Sequence, residues 1–505
     1  MAGGKVYLVG AGPGDPGLFT LKGREILKQA DVIIYDYLAN EALLEQTREN
    51  AEKIYVGKKG GHHTKSQEEI NRLLIEKARN LVVVRLKGGD PFIFGRGGEE
   101  AQALRKAGIP FEVVPGVTSA IAVPAYAGIP LSHRDFTASI AFITGHERED
   151  DERSKINWEA LAKLGGTLVF LMGVKNLHYI SDCLMAHGMP SDTPVAVIEW
   201  GTTLRQRTVT GTLDSIASLA ERENVKPPAV IVVGNVVSLR PALNWFETKP
   251  LFGKRIVITR ARAQASHLKQ KLEELGANCI EFPSIEIVPP PSWDACDQAI
   301  QDISNYSWVI FTSVNGVQQF FKRLWDLGKD LRVLMGCRIG AIGPATATAI
   351  ENRGIRVDVV PQSYRAEDLA ASFSKEMVYG KNVLIPRALK ARDILPESLR
   401  KMGANVTVAP VYATVPARVS EEDRNIMTEL LKEGVHCITF TSSSTVRNFC
   451  HIMKTDRPAD LLNKTIVACI GPVTAETARN FGINVHIVAK EYTINGLVQA
   501  ILSYF

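Results

Sequence analysis

Cysteine is sparse in this 505-residue chain, and the seven present (Cys183, Cys279, Cys296, Cys337, Cys437, Cys450 and Cys469) are odd in number and form no C-x-x-C. That arrangement supports neither a disulfide framework nor a zinc knuckle, and a reducing cytoplasm is the expected location. Long apolar runs are lacking as well. Stretches such as AVIVVGNVV fall far short of the ~20 residues of a membrane-spanning helix. The opening MAGGKVYLVGAG runs straight into a strand, without the charged and apolar leader of a secreted protein. Nor is there an excess of charge: a formal +5 over this length gives no footing for nucleic acid, though it allows local basic pockets for a small anionic ligand. What remains, 45% hydrophobic and 22% charged residues, is an ordinary globular composition, and the length calls for two or three domains.

Along the chain, β-branched runs such as KVYLVG, DVIIYD, LVVVRLKG, FEVVPG and PVAVIEW alternate with helix-period stretches such as EEINRLLIEKARN, the pattern of an α/β protein. After Val237 the text changes to SLRPALNWFETKPLFGKR, with two prolines and no clean period, so a boundary is expected at about 245–252, giving domains 1–245 and 253–505. The second domain repeats itself. GKRIVITRARAQASHLKQKLEELGANCIEFPSIEIV from Gly253 aligns with GKNVLIPRALKARDILPESLRKMGANVTVAPVYATV from Gly380, 127 residues on. VIFTSVNGVQQF then matches ITFTSSSTVRNF, and IGPATATAIENRGI matches IGPVTAETARNFGI, so two α/β units of similar design follow one another. Pro289 and Pro416 fall at the same offset and are expected to mark hinges or crossings between two lobes.

Near the start, VYLVGAGPGDPGLFT sets Gly12, Gly14 and Gly17 at G-x-G-x-x-G spacing, and Asp36 closes the next strand near where a ribose-binding acid would stand. The intervening residues argue against a dinucleotide. Pro13 and Pro16 have no N–H to offer a pyrophosphate, and Asp15 would set a carboxylate beside it. More telling is RLKGGDPFIFGRGGEE, residues 85–100, where a strand ends in Gly88 and Gly89, Asp90 and Pro91 fix a tight turn, and Gly-Arg-Gly-Gly opens a helix with two acids. Those are the parts of a ligand-binding loop.

With VPGVTSA, FLMGV, YDYL, VGKKGG, GIPLSHRD and ITGH, these motifs make residues 1–245 resemble the uroporphyrinogen III C-methyltransferases of the tetrapyrrole methylase family, over essentially the whole domain. The resemblance implies a two-lobed α/β methylase fold, S-adenosylmethionine as methyl donor, and double methylation of uroporphyrinogen III to precorrin-2 for siroheme or cobalamin synthesis. It places the cofactor at Pro13, Gly88, Gly89, Asp90, Ile93, Thr118, Ser119, Met172 and Gly201, and implies a homodimer through this domain. A sulfonium cofactor asks for backbone carbonyls, an acid and apolar walls, and here Asp90 supplies the acid and Met172 a wall. Methylating a pyrrole carbon leaves the ring cationic until a proton departs, and Asp36 and Lys58 match the family's acceptor and donor. His62 and His63 share a glycine-rich loop with no third ligand, so no metal is expected, whereas His133, Arg134 and His146 are candidates to touch substrate carboxylates.

TRAR, FTSVNGV, IGPATA, PVYAT, FTSSSTV and IGPVTAETA make residues 253–505 similar to the uroporphyrinogen III synthases. That similarity implies a second two-lobed α/β fold, with lobes at about 253–288 plus 416–505 and at 292–412, and the substrate in the cleft. Hydroxymethylbilane closes unaided to the wrong isomer, so such an enzyme works by holding the chain while ring D closes inverted. Arg260, Ser313, Thr346, Arg387, Ser442 and Thr474 are candidate carboxylate contacts, and Tyr412 matches the tyrosine thought to help the hydroxyl leave. Competing readings are a methylase of a later corrin intermediate, a nicotinamide oxidoreductase, and a C-terminal half that only binds tetrapyrroles.

Overall fold

The computed structural model describes residues 4–57, 65–145, 156–260, 262–362, 366–455 and 457–505, with backbone alone over 262–266. The chain divides into two compact units, Met1–Gly253 and Lys254–Phe505.

The first unit opens with a parallel sheet in the order Glu52–Tyr55, Val32–Tyr35, Val82–Lys87, Lys5–Gly10, Phe111–Val114. Its central strands are apolar at successive residues because both faces are covered. Val6, Leu8, Ile34 and Val83 enter one core cluster, while Val9, Ile33, Val84 and Leu86 enter the other. Helices pack on these faces; Gln67–Lys77, for example, starts at a reciprocal cap between Ser66 and Glu69. With all five strands running the same way, the loops that follow Gly10, Tyr35, Lys87 and Val114 leave from one edge, where open α/β sheets bind their ligands. A second sheet of mixed direction follows, in the order Ile140–Thr144, Thr167–Leu171, Ala229–Val233, Pro194–Glu199, Arg207–Thr212. Only its first pair is parallel.

The proline-containing stretch expected to hold the boundary belongs to this unit. Phe246 and Leu251 are buried. The Trp245 and Phe246 rings lie edge-on to Tyr126, with centroids 5.1 and 4.8 Å away. Glu247 accepts hydrogen bonds from Gln206, Thr208 and Arg240 at 2.8, 2.5 and 2.7 Å. Domain 1 therefore runs to Gly253 and not to 245, because the aperiodic apolar residues of NWFETKPLF have a core to join.

In the second unit the two sequence repeats exchange halves. One sheet, all parallel, has the order Asn278–Glu281, Arg255–Ile258, Cys437–Phe440, Ile466–Cys469, Ile487–Val488. The other has the order Ile285–Val288, Asn405–Pro416, Asn382–Ala388, Trp308–Phe311, Arg338–Ala341. Each sheet thus pairs the opening βαβ of one copy with the closing βαβ of the other.

The chain crosses between sheets at Phe282–Ser284 and again after Pro416, and the crossings are bonded together. Ile285–Val288 runs antiparallel to Ala413–Pro416, with Ile285 opposite Pro416, and the Ala417 N–H donates to the Ser284 carbonyl at 3.2 Å. Residues 285–288, assigned from the sequence to the first lobe, therefore lie in the second, and Pro289 follows the crossing strand without forming the hinge. Pro416 ends its strand at the second crossing, as expected; at the first crossing stands Pro283, whose counterpart 127 residues on is Pro410. Lacking an N–H, Pro283 separates Asn278–Glu281 from Ile285–Val288, whereas at Pro410 the strand continues through a register shift, Arg387 opposite Pro410 and Ala388 opposite Tyr412.

A polypeptide ending at Gly253 is expected to fold alone, and one ending at 245 to be weaker. Losing buried Phe246 and Leu251 costs at least about 3–5 kcal/mol, a fall in melting temperature of roughly 6–20 °C. Thermal unfolding of the two pieces followed by circular dichroism measures the difference.

Candidate active sites

At the loop edge of the first parallel sheet three backbones meet with no room for side chains. A Cβ on Gly10 would lie 2.5 Å from the Gly116 Cα, and one on Gly116 would lie 2.2 Å from the Gly89 carbonyl oxygen. Gly12 and Gly89 exchange N–H···O bonds of 3.2 and 2.7 Å. Both have positive φ, +78° and +66°, and a Cβ there would make only ordinary contacts, none nearer than 3.5 and 3.7 Å, so backbone conformation and not lack of space asks for glycine. Asp90 fastens the loop: one carboxylate oxygen accepts from the N–H groups of Phe92 and Ile93 (2.8 and 3.2 Å), the other from Gly116 (2.9 Å). Thr118 caps the helix Ser119–Tyr126, and the Ser119 nitrogen is the atom nearest to where a Gly89 Cβ would stand, at 3.7 Å.

The proline loop bends away from a phosphate-binding conformation. Asp15 caps a short turn at Pro16–Leu18, accepting from the Gly17 N–H at 2.7 Å and from the Tyr126 hydroxyl at 2.7 Å, and the helix proper begins only at Leu21. The Asp15 N–H donates to the Thr202 hydroxyl at 3.2 Å, and Asn40 donates to the Gly14 carbonyl at 2.6 Å. These bonds bring the Gly201 loop, from the second sheet, to Pro13 and Gly14. Gly201 itself packs so closely on Val123 that a Cβ would overlap it at 2.3 Å. Met172 follows the strand Thr167–Leu171 with φ +58° and is 53% exposed, and Ile93 sits between exposed Phe92 and Phe94.

Asp36 stands at the same edge, and sequence reasoning missed what holds it. Its Oδ2 accepts from Arg85 Nη2 at 3.0 Å and its Oδ1 from the Leu38 N–H at 3.2 Å. Arg85, 4% exposed, also donates through Nε to Glu100 Oε1 at 3.1 Å, and Lys87 donates to that same oxygen at 2.9 Å. Burial pulls the Lys87 ammonium below its ordinary pKa. The one available signal was the alternation of Arg85 and Lys87 on a strand otherwise apolar, two turns of chain before a helix that begins with acids. Lys58, His62, His63 and His146 lie outside the described residues. His133 is engaged in its own turn, its Nδ1 accepting from the Asp135 N–H at 3.2 Å. Among the described residues no three His, Cys, Asp or Glu side chains gather as metal ligands, and no helix is long and apolar enough to cross a membrane.

The second unit holds a cavity of about 350 Å³ where its two sheets approach. Arg260, Arg387, Lys390 and Arg392 line it together with Tyr412, Ser442 and apolar residues such as Ile285 and Ile385, and no carboxylate is among its described lining residues. Burial lowers the Arg260 pKa. Arg387 is nearly buried; it bonds Asp393 at 2.5 Å and the Arg392 carbonyl at 2.9 Å, while its Nε finds no partner. The Tyr412 hydroxyl is 3.1 Å from Ser313 Oγ, which caps the helix Val314–Asp326, and burial pushes the phenol above its ordinary pKa against the opposing effect of hydrogen bonds with Ser313 and Asn315. Ser442 caps Ser443–Met453. Arg260, Arg387, Tyr412 and Ser442 thus converge, with Ser313 behind Tyr412. Thr346 and Thr474 do not: each is buried in the first turn of its helix, on the side turned to the core, and neither lines the cavity.

Residues 5–217 match the family described as Tetrapyrrole (Corrin/Porphyrin) Methylases, and residues 266–499 match Uroporphyrinogen-III synthase HemD. An S-adenosyl-L-methionine-dependent uroporphyrinogen III methyltransferase of Methanosarcina barkeri is 59% identical over 241 residues, 48% of this chain and 94% of that protein. A crystal structure of uroporphyrin-III C-methyl transferase from Thermus thermophilus complexed with S-adenyl homocysteine shares 42% identity over 47% of this chain and 100% of that one, with a TM-score of 0.41. The porphyrin biosynthesis protein HemD of Ruminiclostridium josui is 42% identical over 503 residues, 99% of this chain and 98% of that protein. With both modules present in order and that likeness running from end to end, the chain belongs to the porphyrin biosynthesis HemD family, a tetrapyrrole methylase joined to a uroporphyrinogen-III synthase.

Proposed function

We propose that the C-terminal unit cyclises hydroxymethylbilane to uroporphyrinogen III with ring D inverted, and that the N-terminal unit methylates this product twice to precorrin-2. The observation that carries the proposal is the C-terminal cavity, where four cationic side chains and a buried, protonated tyrosine face a space free of acidic residues among its described lining. A linear tetrapyrrole bristling with carboxylates is the substrate such a lining suits. Arg260 and Arg387 hold carboxylates, Ser442 adds a hydroxyl, and the Tyr412 phenol donates to the departing hydroxyl while Ser313 orients it.

In the N-terminal unit the loops that carry Gly12, Gly89 and Asp90 meet at the strand-end edge of the parallel sheet, a place that suits a sulfonium cofactor. S-adenosylmethionine, when bound, supplies the methyl group. Pro13, Gly88, Gly89, Ile93, Thr118, Ser119, Met172 and Gly201 hold it on a loop that Asp90 ties down through three N–H groups. Asp36 then takes the proton that the cationic, methylated ring must lose, with Lys58 as its donor counterpart.

A homodimer through the N-terminal unit and a cytoplasmic location are parts of the same proposal. The edge strand Ile140–Thr144 exposes Ile140 and Phe142 on one face, an apolar strip that a second copy would cover. Seven unpaired cysteines suit a reducing compartment.

Incubating the full chain with hydroxymethylbilane and S-adenosylmethionine is expected to give a product two methyl groups heavier than uroporphyrinogen. Product lacking either methyl group, or only isomer I, would overturn the assignment. In the same assay Asp36→Asn is expected to cut methylation by about 10²–10⁴-fold, the usual worth of a general base, with cofactor affinity unchanged. Asp90→Ala is expected to weaken cofactor binding at least tenfold, because hydrogen bonds to a charged acceptor contribute about 1.5–3 kcal/mol each and three are lost. Tyr412→Phe should slow cyclisation by about 10²–10⁴-fold and raise the share of isomer I while sparing methylation of supplied uroporphyrinogen III. Chromatographic isomer analysis separates these outcomes.

A further inference from the structure

Four charged side chains make a nearly closed cluster beneath the methylase edge: Asp36, Arg85, Lys87 and Glu100. Two are acids and two are bases, so their formal charges cancel. Glu100 is fully buried and both bases are almost so; Asp36 alone, its side chain 25% exposed, reaches the edge where the ligand loops emerge. The Arg85 guanidinium is fastened on every side, by Glu100 at Nε, by the carbonyls of Ile34 and Leu86 at Nη1 (3.4 and 3.0 Å), and by Asp36 at Nη2. Glu100 takes its hydrogen bonds at one oxygen only, from Arg85, Lys87 and, at 3.4 Å, Gln67; its Oε2 has none.

Stability is a poor reason for such a cluster. Burying ions costs several kcal/mol each, and well-packed apolar residues in their place are often neutral or better. Its arrangement makes sense as support for the one member that meets the ligand edge. If Glu100 stood without Lys87, it would draw the Arg85 charge away from Asp36. With Lys87 bonded to Glu100 at 2.9 Å, one positive charge remains for Asp36.

We propose that Arg85 is a positioning residue for the methylation, its guanidinium fixing the Asp36 carboxylate in one orientation with a positive charge beside it, and that Lys87 and Glu100 are there to keep the Arg85 charge directed at Asp36. The inference rests on Asp36 being the base. Among the described residues the other ionisable groups that act on this neighbourhood are Lys87, on the Arg85 strand, and Tyr55 with Tyr35, Tyr37 and Glu41. A base must be ionised, so methylation rises with pH as Asp36 loses its proton. Removing the cation 3.0 Å away disfavours the ionised form, which moves that rise to higher pH.

The test is the pH dependence of single-turnover methylation of supplied uroporphyrinogen III by the full chain at saturating S-adenosylmethionine. Arg85→Gln is expected to shift the acidic limb upward by about one to three pH units, with cofactor affinity unchanged. Arg85→Lys, which keeps the charge, is expected to restore most of the shift. Glu100→Gln leaves two cations facing Asp36 and is expected to move the limb the other way. A role in folding alone would lower the yield of folded protein without moving the limb. If Asp36→Asn is inactive but neither Arg85→Gln nor Glu100→Gln moves the limb, the positioning role is overturned and the base assignment stands. Full turnover by Asp36→Asn overturns the base assignment itself. Should Arg85→Gln not fold, Glu100→Gln decides: a limb at lower pH supports the proposal and an unmoved limb overturns it.

Discussion

The absence of side chains at Gly10 and Gly116 is the constraint on which the N-terminal unit depends. Their backbones approach to distances that no Cβ could survive, and from that contact the rest follows. The loop after the strand Val82–Lys87 can fold back across the strand Lys5–Gly10 and exchange hydrogen bonds with Gly12. Asp90 then falls within reach of Gly116, tying the third loop to the second. The helix starting at Ser119 is brought up with its first N–H groups beside Gly89. A methyl group at Gly10 or Gly116 would push apart loops that must converge on one ligand.

The two sites manage charge in opposite ways. Beneath the methylase edge every positive charge has a negative partner within 3.1 Å, and only orientation is left to be exploited. In the C-terminal cavity the cations are set against apolar walls, with Asp393 and Glu367 bonded to Arg387 and Arg392 from outside the lining. The first arrangement suits a proton transfer at one atom, where a stray field would shift the acid. The second suits a flexible polyanion that must be gripped at many points before its ends can meet.

Much of this was legible in the sequence, for identifiable reasons. Glycines with positive φ, a loop acid and N-capping hydroxyls are local requirements, and local requirements leave local marks, as in RLKGGDPFIFGRGGEE and FTS. The repeat was visible too, but not its exchange, because pairing of Arg255–Ile258 with Cys437–Phe440 depends on hydrogen bonds between segments far apart in the chain. The same limit explains the prolines. Pro289 and Pro416 share an offset with Pro283 and Pro410, and only the ladder shows that the crossings fall at Pro283 and just after Pro416. Thr346 and Thr474 were misleading because a hydroxyl in the first turn of a helix serves the core as readily as a ligand. The Arg85–Glu100 network was hidden because a basic residue in a strand announces a partner without naming it.

The exchange of repeat halves also bears on how the chain is made. The strand Arg255–Ile258 lies between Asn278–Glu281, which follows at once, and Cys437–Phe440, whose Thr439 carbonyl accepts from the Thr259 hydroxyl across 180 residues of sequence. A ribosome adding about 5–20 residues per second needs roughly 9–36 s to supply that neighbour. Throughout this interval one sheet edge of the nascent chain, rich in Ile and Val, is open, while the intervening residues 285–416 can complete the other sheet alone. The second lobe is therefore the one that closes first during synthesis, and the lobe begun earliest is finished last.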